Sequence, residues 1–481
     1  MKNKEELIDK YFKPNFKSAI QRKDKVEYLD YQANLAYTNL GKNLHYLIFT
    51  YGCIGNSADS ETIKGILDSA NFQETKNEHE ADIFILNTCA IREGAEDRVW
   101  GELGRLKKYL IFKPQIIFIL AGCMSQEENT IKKVLAKYNH VDIILGTHNL
   151  YKILDYLHVV LTSHEKVIEV FSYEGAVFAH LPKKRLNNFK VFVEIMFGCD
   201  EFCTYCIVPY TRGKERSRKK EDILEEITRL IENGAMEVNL LGQNVNSYGK
   251  DLYENYSFGD LLQDIARLHI PRIRFMTSHP HDLDLKTILA IKNHPQVMPH
   301  FHLPVQSGSN HILQKMNRHY TKEEYIDLVT TLRQYVPKIS ITTDIIVGFA
   351  GEQEADFLET IDLVKKVGFD GAYTFMYSVR EGTPAAKFSE QVDNKIKNQR
   401  LQVLMAMTNE GSLSKNLSMV GHYYPVLVES ISNKGNLLCG YTPDYRLVNF
   451  AGSDQLIGKI VQVKIIKAKT WFLLGELDEQ P

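Results

Sequence analysis

Cys199, Cys203 and Cys206 stand in a C-x3-C-x2-C array directly after an apolar, strand-like run, Val191–Phe197. No other stretch restricts the chain as much. Three thiolates at this spacing wrap one corner of an iron–sulfur cube and leave the fourth iron without a protein ligand. An open metal position of that kind holds a small molecule, as an open zinc site does. A four-ligand zinc knuckle would show a second Cys or His pair close by, and neither residue follows before His269. A disulfide framework does not suit a chain of 481 residues with 7 cysteines. The start, Met1-Lys-Asn-Lys-Glu-Glu6, is too charged for the apolar core of a secretion signal.

A length of 481 residues predicts two to four domains. Charged residues at 25% and hydrophobic residues at 44% fit globular structure. The longest apolar runs, such as Ile116–Ala121, fall far short of a membrane span. The expectation is a cytoplasmic protein with no membrane contact, and a monomer, given a net charge of −2 and no exposed heptads. The same balance excludes a bulk-charge nucleic-acid binder. Two local clusters remain: Lys183-Lys184-Arg185, and the run carrying Arg212, Lys214, Arg216 and Arg218 up to Lys220. Such runs are ordinarily solvated faces. Beside the cysteine array, Arg212, Lys214, Arg216 and Arg218 are expected to hold RNA phosphate.

Residues 1–43 are a charged, Tyr-rich extension to which no chemistry is assigned. Between 44 and 160, apolar runs at Tyr46–Tyr51, Ile83–Leu86, Ile116–Leu120 and Val141–Leu145 alternate with helical spacing. That pattern predicts an α/β unit with a largely parallel sheet. Cys53, Cys89 and Cys123 each follow a different strand, in Tyr-Gly-Cys, Asn-Thr-Cys and Ala-Gly-Cys. Ligands of open α/β sheets bind at that edge. A single buried Cys is usually a small hydrophobe, but three at equivalent places predict a second three-thiolate metal site. Zinc with His148 as fourth ligand is the alternative. Residues 151–187 read as a connector with a strand-like Val167–Phe171.

From 185 to 412, strand-like runs recur at Val191–Phe197, Glu237–Leu241, Ile273–Thr277, His300–Leu303, Ile339–Val347 and Gly371–Met376. Helical stretches separate them, which predicts an incomplete parallel (βα)6 barrel with its chemistry at the carboxyl ends of the strands. Polar residues gather there: Gln243 and Asn244, Ser278 and His279, Gln306 and Ser307, and Gly348. From 415 to 478, short β-like runs at Val426–Val428, Leu437–Leu438, Leu447–Val448 and Ile460–Ile466 predict a small antiparallel barrel. Cys439 lies there alone as a filler.

Cys199–Arg218 contains Val208-Pro-Tyr-Thr-Arg-Gly213, and further stretches accompany it. They are Thr50–Cys53, Asn87–Arg92, Gly122–Met124, Gly146–Asn149, Leu240–Asn246, Thr277–Pro280, Leu303–Ser309, Thr343–Phe349 and Tyr441–Asp444. Together they resemble the methylthiotransferase family of radical S-adenosylmethionine (SAM) enzymes over nearly everything after Asn43. The resemblance implies three parts: a methylthiotransferase domain, a radical SAM barrel and a TRAM domain. It implies two [4Fe-4S] clusters, one on Cys199, Cys203 and Cys206 and an auxiliary one on Cys53, Cys89 and Cys123. The backbone around Tyr205 would meet the adenine of SAM, with Gln243, Asn244, Gln306, Ser307, Thr343 and Asp344 at its polar groups.

The implied reaction uses two SAM molecules. One methylates a sulfur on the auxiliary cluster. The other yields the radical that removes hydrogen from carbon 2 of N6-isopentenyladenosine at position 37 of tRNA. That hydrogen sits on an aromatic ring, beyond any side-chain base. The implied partners are a tRNA anticodon stem-loop, an electron donor and a sulfur-supplying iron–sulfur carrier. His279, His281 and His302 would line the path of a base splayed out of the loop. Sister readings are methylthiolation of threonylcarbamoyladenosine or of a ribosomal-protein aspartate. A non-catalytic iron–sulfur RNA-binding protein is the reading outside enzymes. One departure is visible: Ile54-Gly55-Asn56 follows Cys53, where the family commonly has Gln-Met-Asn.

Overall fold

The computed structural model describes residues 26–90, 93–170, 175–432 and 435–478. Expectations falling on residues 1–25, Ile91, Arg92 and Phe171 lie outside the described residues. The chain divides into two compact units. The first holds the described residues up to Leu186 with Met196–Phe202 and Cys206–Asp222, and the second holds Asn187–Ile195, Cys203–Tyr205 and the described residues from Ile223 on. No helix among the described residues is long and apolar enough to cross a membrane.

The first unit is built on a six-stranded parallel sheet. Its spatial order is Gln73–Glu74, His45–Thr50, Ile83–Thr88, Ile117–Gly122, Ile143–Leu145, Val167–Glu169. Alternate side chains of the central strands feed two separate cores. Ile83, Ile85, Ile117, Ile119 and Ile143 pack with Ile63 and Ile66 of the helix Ile54–Ser69 and with Leu157 of the helix Ile153–Ser163. Phe84, Leu86, Phe118, Leu120 and Ile144 pack with Val99 and Leu103 of Glu93–Leu106 and with Val134 of Glu128–Lys137. Burial on both faces is why these strands read as unbroken apolar runs. Val167–Glu169, expected in a connector, is instead the edge strand, paired with Ile143–Leu145. A short parallel pair, Tyr28–Asp30 with Val177–Ala179, completes the unit with the antiparallel pair Met196–Phe197 and Arg216–Ser217.

Strand order reverses once in this sheet. The first strand in the chain, His45–Thr50, lies between the second, Gln73–Glu74, and the third, Ile83–Thr88. Chains leave such a switch point in opposite directions and open a crevice at the carboxyl edge. Cys53 and Cys89 follow the two strands that flank it.

The second unit carries six parallel strands in two ladders of three. One runs Arg272–Phe275, Glu237–Leu241, Lys190–Glu194, and the other His300–His302, Ser340–Val347, Gly371–Met376. The segment before His300 joins them through Ile273 N to Gln296 O (2.7 Å) and Met298 N to Ile273 O (2.9 Å).

A closed five-stranded barrel follows, made of Tyr423–Ile431, Leu438–Tyr441, Leu447–Phe450, Leu473–Leu477 and Ile460–Ala468. It is not wholly antiparallel, as expected from sequence, because Leu447–Phe450 and Leu473–Leu477 pair in parallel. An odd number of strands cannot alternate direction all the way round, so one parallel pair is required. The turn after its second strand plugs the amino edge of the parallel strands. Arg272 donates to Tyr441 O and Pro425 O, Arg274 to Thr442 O and Pro443 O, and Arg446 to the Asp370 carboxylate. Tyr445 stacks on Tyr441 (4.7 Å) and lies against His300 (4.9 Å).

Candidate metal centres and the strand rim

Three cysteines of the first unit gather at the switch-point edge. Glycine makes the close passage possible. Gly52 has φ +126°, and a Cβ there would fall 2.3 Å from Cys89 Cβ; Gly122 has φ +96°, and a Cβ there would fall 2.4 Å from Thr88 O. Cys53 is the N-cap of the 16-residue helix Ile54–Ser69. A hydrogen bond with the Cys89 thiol holds the Cys53 thiol down to about 5, and the Arg212 charge and the first amides of the helix act in the same sense. Cys123 is pushed up to about 11 by burial, with Arg212 opposing. Asn56 fixes the turn: its Nδ2 donates to Thr88 O (2.8 Å) and its Oδ1 accepts from the Cys53 thiol (3.3 Å). All three thiols are free of disulfides, and Cys89 and Cys123 are buried. A converging set of three soft sulfur donors, one of them held low, suits an iron–sulfur group.

The basic run after Cys206 does not form an exposed face. Arg212, Arg216 and Arg218 are 6%, 5% and 5% exposed. The expectation that these three grip RNA at the surface is therefore corrected. Arg212 Nε donates to Cys123 Sγ (3.0 Å), and its two terminal nitrogens fork onto Asp59 (3.1 and 2.5 Å). Arg216 donates to Gly175 O (2.6 Å) and Arg212 O (3.0 Å). Lys214 stays half-buried, and Lys219 is exposed. Sequence shows the charge of an arginine and not its burial; Asp59, 153 residues before Arg212, carries no spacing signal. Near Cys123, Ile207 and Ala90 close an apolar patch with Tyr210 against it.

In the second unit Cys203 is buried beside a different arginine. Arg318 donates to Cys203 Sγ (3.4 Å), to Pro304 O (3.0 Å) and to the Tyr320 hydroxyl (2.9 Å). Thr204 anchors this part of the loop, with its N–H on Met316 O (3.0 Å) and its C=O accepting from Ala385 N (2.9 Å). Tyr205 meets Phe349 edge-on at 6.3 Å. In the first unit Cys199 N donates to Gly213 O (3.1 Å).

The carboxyl rim of the parallel strands is strained and incompletely paired. Thr277 and Gln306 have φ +71° and +67°, left-handed values that non-glycine residues adopt at a cost. Ser278 Oγ, Gln306 Oε1 and Tyr377 Oη are buried with no hydrogen-bond partner among the described residues. Orphaned buried polar atoms on one rim fit a polar ligand such as SAM. Gln243 and Asp344 are half-buried there.

Three other residues expected at SAM have hydrogen-bond partners within the fold. Thr343 is on the opposite face from Asp344, as strand alternation requires, and its hydroxyl donates to Leu303 O and accepts from Val305 N. Ser307 pairs with Thr360 and Ser309 N. Asn244 ties two rim loops, accepting from His279 N and donating to Asp282. Of the histidines, His279 is held neutral by burial first and then by Arg318. His302 accepts or donates at Thr342 (3.0 Å) and lies 3.5 Å from Asp344, and His281 is exposed.

Comparison with known proteins agrees with this anatomy. Residues 193–364 match the model of the radical SAM superfamily, a class whose chemistry runs on an iron–sulfur cluster and SAM. Residues 45–146 match uncharacterized protein family UPF0004, and 417–477 match the TRAM domain. The tRNA-2-methylthio-N(6)-dimethylallyladenosine synthase of Oceanobacillus iheyensis is 46% identical over 99% of this chain and 94% of its own length. The proteins of the same name from Bacillus subtilis (47%; 99% and 95%) and Thermoanaerobacter pseudethanolicus (48%; 92% and 95%) are equally similar. The chain belongs to the methylthiotransferase family of radical SAM enzymes. Among solved structures, the radical SAM methyltransferase TsrM of Kitasatospora setae shares the fold at TM-score 0.50, with 13% identity over 71% of this chain and 77% of that one.

Proposed function

We propose that the protein adds a methylthio group to carbon 2 of N6-isopentenyladenosine at position 37 of tRNA, using one SAM as methyl donor and one as radical source. The observation that carries this reading is the shared name of relatives 46–48% identical over nearly the whole chain. The gathering of Cys53, Cys89 and Cys123 after three neighbouring strands of one parallel sheet, and the C-x3-C-x2-C spacing of Cys199, Cys203 and Cys206, support it. Cys199, Cys203 and Cys206 would hold the cluster that cleaves SAM, and Cys53, Cys89 and Cys123 the auxiliary cluster. Such clusters, when bound, supply one-electron reduction of SAM and a position for the donor sulfur.

The chain's own residues bind and exclude. Gln243, Gln306, Asp344 and the backbone at Tyr205 would contact SAM, on the rim where buried polar atoms lack partners. Arg318 keeps a positive charge beside Cys203. Lys214 would meet tRNA phosphate, with the TRAM barrel as a further grip on the anticodon stem-loop. The test is mass spectrometry of nucleosides from a strain lacking this gene. The reading requires loss of methylthio-isopentenyladenosine with accumulation of isopentenyladenosine. Full retention of the methylthio nucleoside, with no paralogue present, overturns it.

A further inference from the structure

A buried ion pair needs a reason. Arg212 and Asp59 are 6% and 4% exposed, and removing two charges from water costs more than an apolar filler would. Their position supplies the reason. Arg212 places Nε on Cys123 Sγ and its two terminal nitrogens on Asp59. Gly55 lies beside the same guanidinium: a Cβ there would be 3.4 Å from Cys53 Sγ and 3.8 Å from Arg212 Nη2. The backbone that carries Arg212 is fixed from three sides. Arg212 N donates to Val208 O (2.8 Å), Arg216 donates to Arg212 O, and Thr211 O accepts from Thr147 (2.6 Å). The guanidinium is thus a fixed charge and not a mobile one. Potentials of iron–sulfur groups follow net charge and hydrogen bonds to their sulfurs.

We propose that Arg212 and Asp59 are opposed positioning residues that set the reduction potential of the iron–sulfur group held by Cys53, Cys89 and Cys123. Arg212 favours the electron-rich state by donating to the Cys123 sulfur. Asp59 aims the guanidinium and offsets part of its charge. This inference rests on the auxiliary-cluster assignment above.

The experiment uses the full chain with Cys199, Cys203 and Cys206 replaced by alanine, so that a single cluster is reconstituted anaerobically. Iron and sulfide are counted, and a dithionite titration followed by electron paramagnetic resonance gives the midpoint. Arg212→Gln is expected to make the reduced state at least tenfold rarer at fixed potential, a downward shift of 59 mV or more for one electron. Arg212→Lys should shift less, in the same sense. Asp59→Asn should shift the midpoint upward. If Arg212→Gln fails to hold iron, Arg212→Lys and Asp59→Asn decide by their opposite signs. Unmoved midpoints, or shifts of one sign, in cluster-loaded variants overturn the inference and leave the cluster assignment standing. No iron in the triple-alanine parent overturns the cluster assignment itself.

Discussion

The molecule solves one electrostatic problem twice, differently. In the first unit a buried arginine reaches Cys123 at 3.0 Å and is matched by a carboxylate; in the second a buried arginine reaches Cys203 at 3.4 Å and is matched by none among the described residues. Arg318 instead satisfies its donors on neutral oxygens and lies over the Tyr320 ring at 5.1 Å. At the first site a carboxylate offsets the arginine, and at the second none does among the described residues. The neighbouring His279 reports the Arg318 charge, since burial and Arg318 together keep that ring neutral. An arginine with no carboxylate partner beside Cys203 suits the rim proposed to receive SAM, whereas the Arg212–Asp59 pair suits the auxiliary cluster proposed at Cys123.

The largest expected effect separates the two sites by chemistry. Cys203→Ala should abolish formation of 5′-deoxyadenosine from SAM. Cys89→Ala should retain it and lose only the methylthio product. Liquid chromatography of the nucleosides after reaction with reduced, cluster-loaded protein reads both. Loss of SAM cleavage in Cys89→Ala would break the distinction between the sites.

The next effect is on stability. Arg212→Ala leaves Asp59 as an uncompensated buried charge and should cost about 3–5 kcal/mol locally. Arg318→Met leaves two neutral oxygens and the Cys203 sulfur without this donor and no buried carboxylate, so about 1–3 kcal/mol is expected. Replacing Arg212 by Met together with Asp59 by Leu should recover most of the first loss, because both buried charges leave together. Hydrogen exchange over 54–69, 206–218 and 310–320 resolves these local values where a global transition of a two-unit chain would not. Equal costs for the two arginines would show that charge balance does not distinguish the sites.

A smaller effect lies at the amino edge of the parallel strands. Arg446 and Asp370 pair at 2.6 Å with side chains 12% and 10% exposed. Arg446→Ala should loosen the plug of the C-terminal barrel by about 1.5–3 kcal/mol, the range for hydrogen bonds to a charged group. Faster exchange confined to 438–450 is the expected signature.

How much of this was legible follows from what a sequence pattern encodes. The six cysteines stand out in the sequence, as candidates, because each triad has a local signal: fixed spacing for Cys199, Cys203 and Cys206, and a common place after a strand for Cys53, Cys89 and Cys123. The two parallel scaffolds were readable because strands buried on both faces are continuous apolar runs. The partners of the cysteines were not. Arg212 and Asp59 are distant in the chain, and nothing in Val-Pro-Tyr-Thr-Arg-Gly says that its arginine turns inward. The same blindness placed Arg216 and Arg218 on a surface. Thr343 and Asp344 stand together in the sequence, but strand alternation puts them on opposite faces. The plug at Tyr441–Arg446 was visible only as a motif; its task emerged from the arginines it meets across the fold.

A surface pair of nearly the same shape isolates the role of burial. Arg105 forks onto Glu78 at 2.8 and 2.6 Å, as Arg212 forks onto Asp59, yet its side chain is 39% exposed. Water already solvates both partners, so the pair should contribute only about 0.2–1 kcal/mol. Its pH dependence has a definite sign. Hydrogen bonds from Arg105 and then Tyr109, opposed by partial burial, bring the Glu78 carboxyl from its ordinary 4.5 down to about 2. The folded state therefore binds fewer protons than the unfolded state between those values, so the contribution is complete above 4.5 and is lost as pH falls toward 2. Glu78→Gln should cost under about 1 kcal/mol at pH 6 and nothing below pH 2, measured by exchange over 93–106. A cost at pH 6 matching that of Arg212→Ala would mean that fork geometry, not burial, sets the strength of these pairs, and the contrast drawn between the two cysteine sites would lose its physical basis.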